Sequence, residues 1–158
     1  MICTGNICRS PMAEVSLRQF IATDEFLVDR VEITSAGTAN WHVGSPMESR
    51  ARAALDRAGF RSEGSLGAFA NPSYLNGHDL IIVMTREHLH DVHQRLTNGA
   101  TEVTMLRNLL EPGSNLDVAD PYYGGDLDFD ECLDVLTRAG RRLTSELRRR
   151  LGEDSHGA

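Results

Sequence analysis

The chain has 158 residues, of which 41% are hydrophobic, and a formal net charge of −7. This length and apolar content suit one ordinary domain that buries a core. The acidic balance argues against nucleic acid or an anionic membrane as a main partner, because both require a broad basic surface. The sequence contains neither an apolar run that could span a bilayer nor a signal-peptide pattern. We predict a cytoplasmic protein, and export by a signal-less route stays open.

The first recognisable segment is residues 3–11, in which a cysteine and an arginine enclose five residues and a helix-start signal follows. Ser10 suits an N-cap and Pro11 suits the first helical position, so the loop is predicted to lead into a helix. A helix start offers unpaired N–H groups and a positive dipole end. Gly5 and Asn6 readily adopt the left-handed angles that curl successive N–H groups into a nest. The segment therefore predicts a phosphate-binding loop.

The two side chains that bound this loop add reactivity. Cys3 would lie among inward N–H groups, near a helix start and Arg9, and such surroundings favour the nucleophilic thiolate form. Arg9 offers a planar fork of donors that matches two oxygens of a bound phosphate or of a phosphoryl group in transfer. We predict Cys3 as the nucleophile and Arg9 as the phosphate clamp.

Helices and strands alternate in the first half of the chain. Apolar residues at helical spacing predict a helix over residues 11–22 that packs one face on a sheet. Residues 31–36 alternate and are β-branched, which predicts a strand that ends at Gly37. Residues 45–48 form a capping box with proline at the first helical position, and the helix they start is predicted to stop at Gly59.

The next strand and helix follow in the middle of the chain. Residues 79–84 are a continuous apolar run, as expected for a parallel strand covered on both faces. Thr85 is predicted to cap a helix that carries His88, His90 and His93. No cysteine or carboxylate at ligand spacing completes a metal site, so we interpret the histidines as a solvated helix face and predict no metal.

The last elements close an α/β domain. Residues 101–106 predict the final strand, and residues 108–120 return the chain to the active-site end. A long amphipathic helix is predicted around Phe129 to Leu147, with acids at its start and arginines at its end that complement the macrodipole. We predict one domain over residues 1–151 and a flexible tail over residues 152–158.

Residues 3–11 resemble the phosphate loop of the low-molecular-weight protein tyrosine phosphatases, most closely the bacterial members. A bare Cys-x5-Arg spacing is weakly specific, but Gly-Asn within it, a cysteine before the arginine and Ser-Pro after it make the match specific. Residues 34–38, 40–44 and 120–124 extend the resemblance over most of the chain. It implies a three-layer α/β/α, Rossmann-like fold with a central four-stranded parallel sheet.

The start of the chain departs from this family. The family's loop follows a buried hydrophobic strand, whereas two residues precede Cys3 here. Strands usually need about five residues, so residues 1–2 are too short to form one. We therefore expect a truncated first strand that leaves its neighbours without a hydrogen-bonding partner. A non-catalytic phosphotyrosine-binding module, or an inert fragment, stays open as an alternative.

The resemblance implies a metal-independent, cofactor-free phosphatase. Phosphotyrosine-containing proteins would be the substrates, inorganic phosphate a product, and a monomer is expected. Phosphate would be held by the remaining loop residues, namely Thr4, Gly5, Asn6, Ile7, Cys8 and Ser10. Asp120, stiffened by Pro121, would protonate the leaving oxygen and later activate water; a turn aspartate is the simpler alternative.

Aromatic residues are predicted to line the substrate cleft. The resemblance places Trp41 there as a wall, together with His42, and a core anchor is the alternative for Trp41. Tyr122 and Tyr123 follow the predicted acid and would stack on a phenyl ring, with core packing as the alternative for either.

The support of the loop is predicted to differ from the family pattern. The family usually carries a histidine that steadies the loop asparagine, and Gly64 stands in its place here. We therefore expect a looser hydrogen-bond network around Asn6, with Ser10 and Ser35 left to orient the loop.

The other two cysteines leave two questions open. Cys8 shares the loop with Cys3, so peroxide could join them in a reversible disulfide; a small buried packing residue is the alternative. An arsenate reductase on the same fold would need a further pair of closely spaced redox cysteines. Cys132 alone remains, which makes this the weaker interpretation.

Overall fold

The computed structural model describes residues 1–63 and 66–152. Its α-helices and strands are interleaved, with two helices in succession between the second and third strands. In order they are β1 (Ile2–Cys3), α1 (Arg9–Ala22), β2 (Ala36–Gly37), α2 (Ser49–Arg57), α3 (Pro72–Asn76), β3 (Leu80–Val83), α4 (Arg86–Arg95), β4 (Glu102–Met105) and α5 (Asp126–Arg150). Gly64 and the end of the predicted tail, residues 153–158, lie outside the described residues.

The described strands form one parallel sheet in the order β2, β1, β3, β4. One hydrophobic cluster joins α1, α2 and α5, and a second lies between the sheet and the pair α3 and α4. The helices therefore cover both faces, and the predicted three-layer fold is confirmed. In a parallel sheet the carboxyl ends of the strands share one edge, where open α/β proteins place their sites.

The first strand forms in the centre of the sheet although it is short. Ile2 is buried and pairs with Ala36 on one side and Val83 on the other. The prediction that the first two residues cannot form a strand was therefore wrong for Ile2. β2 is much shorter than predicted, because its ladder follows the short β1. One further contact continues this side of the sheet, from the Met1 amine to the Thr34 carbonyl at 2.8 Å.

Two helix starts differ from prediction. α1 begins at Arg9 rather than after Ser10, and Ser10 lies inside the helix with its hydroxyl turned to the preceding loop. The first half of α1 is buried on all sides, because both the sheet and α5 pack on it. α2 begins at Ser49, and the Glu48 carboxylate caps it by accepting from the amides of Arg50 and Ala51.

The short helix α3 was not predicted. Asn71 caps it by accepting from the Tyr74 amide at 2.8 Å, and Pro72 occupies its first turn. An Asn-Pro pair of this kind is a helix-start signal that was present in the sequence. α3 places Leu75 in the smaller hydrophobic cluster, so the surrounding polar segment is anchored at that point.

The long C-terminal helix is confirmed and packs on α1 and α2. Asp128 accepts from the Gly125 amide at 2.7 Å and completes its start. Near its end Arg148 pairs with Asp24, and Arg150 pairs with Glu102 at 2.6 Å. Over residues 1–63 and 66–152, we find no helix that is long and apolar enough to cross a bilayer.

Candidate active site

The predicted phosphate loop joins the end of β1 to the start of α1. Asn6 takes the predicted left-handed backbone conformation, with φ of 57°, and its amide donates to Cys3 Sγ at 3.3 Å. The prediction of a left-handed Gly5 was wrong. Gly5 instead lies against the His42 ring, where a Cβ would stand 3.1 Å from His42 Cδ2. The loop therefore curves past Cys3 Sγ and leads into the N-terminus of α1.

The side chain of Asn6 is firmly held. Its Nδ2 donates to Ser10 Oγ at 2.8 Å and to Ser35 Oγ at 2.9 Å. Its Oδ1 accepts from the Ala68 amide at 2.9 Å, and Ser35 donates in turn to the buried carboxylate of Glu14. Ser10 and Ser35 thus hold the loop asparagine as predicted, and the Ala68 backbone amide supplies a further donor to it.

Cys3 is buried at the base of the loop, with Sγ 2.9 Å from the Ser10 hydroxyl. The backbone around it is fixed by the residue that follows β2, since the Thr38 amide donates to the Cys3 carbonyl at 2.9 Å. Gly37 permits this close approach, because a Cβ there would lie 2.5 Å from the Thr4 carbonyl oxygen. The position of the sulfur is therefore set by backbone contacts.

Arg9 connects the loop to the distant Asp-Pro segment. Its Nη2 lies 3.2 Å from Asp120 Oδ2, and its Nη1 donates to the Val118 carbonyl at 3.1 Å. Arg9 is buried, whereas the Asp120 side chain is partly exposed. Asp120 also caps the turn that follows it, since Oδ1 accepts from the Tyr122 amide at 3.2 Å. Residues more than a hundred positions apart in sequence thus meet at one ion pair.

A cleft of about 410 Å³ opens above the loop. Its lining includes Cys3, Thr4, Gly5, Ile7, Cys8, Arg9, Trp41, His42, Asp120, Tyr122 and Tyr123. Trp41 is 74% exposed and Tyr123 92% exposed, so neither is a core residue. The two tyrosine rings meet edge to face at 5.1 Å between centroids. Aromatic faces therefore surround the mouth, and the thiol and guanidinium lie at its floor.

The two remaining thiols are buried and free. Burial, reinforced by the neighbouring Cys3, raises the pKa of Cys8. Burial likewise raises the pKa of Cys132 to about 12. Both groups are held as neutral thiols at ordinary pH, which fits the packing interpretation of Cys8. A disulfide between Cys3 and Cys8 stays a prediction.

His88 is buried, so the prediction that it lies on a solvated helix face is wrong. Its side chain is 2% exposed, and its Nε2 lies 2.7 Å from Thr4 Oγ1. Burial, assisted by the charge of Arg9, lowers the pKa of His88 to about 4. Its Nδ1 is buried without a hydrogen-bond partner among the residues that the structure describes. No sequence signal marked this contact, because it depends on how the loop packs on α4.

His90 and His93 are exposed, as predicted. In the described ranges, no group of three or more histidine, cysteine, aspartate or glutamate side chains is arranged to hold a metal ion.

The fold and the loop together define a class of protein. A Cys-x5-Arg loop between a central parallel strand and the first helix, at the carboxyl edge of the sheet, is the arrangement of a phosphate-binding α/β protein. The family model for low molecular weight phosphotyrosine protein phosphatase matches residues 1–153. The chain belongs to this family.

Known relatives and structures agree with that assignment. The chain is 42% identical over 141 residues to low molecular weight protein-tyrosine phosphatase A of Mycobacterium tuberculosis, covering 87% of this chain and 83% of the relative. It is 37% identical over 152 residues to a low molecular weight protein-tyrosine-phosphatase of Streptomyces coelicolor, covering 93% and 91%. The crystal structure of a protein tyrosine phosphatase from Entamoeba histolytica superposes with a TM-score of 0.85 at 27% identity, covering 94% of each chain.

Proposed function

We propose that this protein hydrolyses phosphotyrosine in proteins through a phosphocysteine intermediate. In the first step Cys3 Sγ attacks phosphorus, the bond from phosphorus to the tyrosine oxygen breaks, and Asp120 gives its proton to the leaving oxygen. In the second step water attacks phosphorus, Asp120 takes a proton from the water, and the bond between phosphorus and sulfur breaks. Inorganic phosphate leaves and the thiolate is restored.

One observation carries this proposal: Cys3, Arg9 and Asp120 line the same cleft. A phosphocysteine route needs a thiolate nucleophile, a cationic clamp and a proton donor within reach of one phosphate. The Asn6 amide already points at the sulfur, and the start of α1 adds the positive end of its dipole. These groups would also stabilise the charge on the transferring phosphoryl oxygens.

The contact between Arg9 and Asp120 joins the phosphate clamp to the proposed acid. In the structure Arg9 Nη2 lies 3.2 Å from Asp120 Oδ2. A bound phosphate dianion would compete for the Arg9 fork. The Asp120 carboxyl would then be released toward the leaving oxygen of the substrate.

The aromatic mouth supports phosphotyrosine as the substrate. The buried floor of the cleft, where the phosphate would bind, lies below the exposed faces of Trp41 and Tyr123. A bound phosphotyrosine would place its ring between these faces, whereas a phosphoserine has no ring to place there. A phenyl ring would gain stacking and apolar contact there. Selectivity for phosphotyrosine over phosphoserine peptides is the expected result.

Steady-state kinetics of the purified chain test this mechanism, with a phosphotyrosine peptide as substrate and with a reductant and a chelator present. We expect Cys3→Ser to abolish turnover and Arg9→Met to remove most of it. Asp120→Asn should lower kcat/KM by about 100-fold to 10,000-fold, the range for a lost general acid. Asp126→Asn is the matched control, since it removes an exposed carboxylate close in sequence and should change little.

A second measurement looks for the intermediate. Rapid quenching of Asp120→Asn during turnover of p-nitrophenyl phosphate should reveal phosphate on Cys3 by mass spectrometry, because this leaving group needs little protonation in the first step while the second step loses its base. Equal rates for the wild type, Cys3→Ser and Asp120→Asn would contradict the proposal. Phosphopeptide binding without turnover would favour the non-catalytic alternative, and arsenate reduction in place of hydrolysis would favour the reductase.

A further inference from the structure

Arg50, at the start of α2, contacts the segment that carries the proposed acid. Its Nη1 donates to the Gly124 carbonyl at 2.9 Å and its Nη2 to the Tyr122 carbonyl at 3.0 Å. The same guanidinium lies 4.7 Å from the ring centroid of Phe129, at the start of α5. One side chain therefore holds the backbone just beyond Asp120 at two points.

The other end of this contact reaches the phosphate loop. Arg50 Nε donates to Glu48 Oε1 at 2.9 Å, and the Glu48 amide donates to the Ile7 carbonyl at 2.9 Å. Burial opposes the charge on Glu48, but hydrogen bonds from the Arg50 side chain and from the amides of Arg50 and Ala51 keep its pKa below the usual value. Glu48 is thus a charged anchor that fixes the Arg50 fork.

We infer that Arg50 is a positioning residue that holds Asp120 over the phosphate loop. The inference rests on the proposed function, because it assigns Arg50 a role only through the acid. A guanidinium can bind two carbonyls and a carboxylate at once through its rigid fork, whereas a lysine ammonium cannot match that geometry. A general acid must lie within hydrogen-bonding distance of the oxygen that it protonates. A small displacement of the Asp120 segment would therefore weaken proton transfer.

The inference predicts a dependence on the leaving group. A phenolate of high basicity needs a proton as it leaves, whereas p-nitrophenolate leaves with little help. We expect Arg50→Met to lower kcat/KM about tenfold or more for phenyl phosphate and less than about threefold for p-nitrophenyl phosphate. Arg50→Lys should be similarly impaired, since it retains charge but not the fork. The ratio kcat/KM is used because it reports the first phosphoryl transfer.

Arg57→Met is the matched control on the same helix. Arg57 pairs with Asp130 of α5 at 2.6 Å, both side chains being partly exposed, so its loss removes an α2–α5 ion pair without touching the acid segment. Arg57→Met should leave the ratio of the two substrate rates unchanged. Circular dichroism melting of every variant shows whether the chains are folded at the assay temperature.

Combining Arg50→Met with Asp120→Asn separates the two hypotheses. We define leaving-group discrimination as the ratio of kcat/KM for p-nitrophenyl phosphate to kcat/KM for phenyl phosphate. If Arg50 acts through Asp120, adding Arg50→Met to Asp120→Asn should not raise this ratio further. The role of Arg50 would be refuted, and the proposed function would stand, if Asp120→Asn raised the leaving-group discrimination and Arg50→Met did not. Full activity in Arg50→Lys would have the same meaning. The absence of discrimination in Asp120→Asn itself would overturn the proposed function.

Discussion

Acidification should destabilise this protein through His88. The His88 ring is 2% exposed and its pKa is lowered from 6.5 to about 4, first by burial and then by Arg9. Between these two values the unfolded chain binds a proton that the folded chain does not. The stabilising contribution is therefore complete above pH 6.5 and is lost as the pH falls toward 4.

The size of the effect follows from the two pKa values. One pKa unit corresponds to about 1.4 kcal/mol, so the complete loss is about 3 kcal/mol, of which about 2.5 kcal/mol is reached by pH 4.5. For a domain of this size that loss lowers Tm by about 5–10 °C. The charged groups that act on His88 are Arg9, Asp91, Asp117 and Asp120.

Urea unfolding followed by far-UV circular dichroism at pH 7.5 and pH 4.5 measures this loss. His88→Asn keeps a polar side chain but cannot titrate, so its free energy of unfolding should fall less between these pH values than that of the wild type. His90→Asn, an exposed neighbour on the same helix, is the control and should follow the wild type. Equal losses in the wild type and in His88→Asn would refute the reasoning.

Two further substitutions test the packing of the loop and of the core. Gly37→Ala places a Cβ 2.5 Å from the Thr4 carbonyl oxygen, so we expect a loss of about 1–3 kcal/mol in urea unfolding and a lower kcat; Gly99→Ala, with open space around it, should cause neither. Leu136→Ala on the buried face of α5 should cost about 2–5 kcal/mol by the same measurement. Leu127→Ala, 75% exposed on that helix, should change stability by less than about 0.5 kcal/mol, and equal costs for the two leucines would contradict the assigned core face.

The strongly patterned elements could be predicted from sequence because their patterns are local. β3 is a continuous apolar run between two helices, and α5 repeats apolar residues over many turns. Thr85 caps α4 as predicted, by accepting from the His88 amide at 3.2 Å. The signal for each of these features lies within a few neighbouring residues. It is either the spacing of the apolar residues or a side-chain cap.

Other element ends depended on partners elsewhere in the chain. β2 is brief because a strand extends only as far as its ladder, and that ladder follows the short β1. α1 begins before Ser10 because the Ser10 hydroxyl bonds to Cys3 and Asn6 instead of capping the helix. Local propensity cannot show these competing partners.

Chemical identity was contained in the sequence, since a cysteine, an arginine six residues further on and a later Asp-Pro pair specify which groups are present. Their arrangement was decided by tertiary structure: the parallel sheet brings Asp120 to within 3.2 Å of Arg9, and packing buries His88 against Thr4. The physical reason is that hydrogen bonds and ion pairs act over a few ångströms, so contacts between distant residues exist only after the chain has folded.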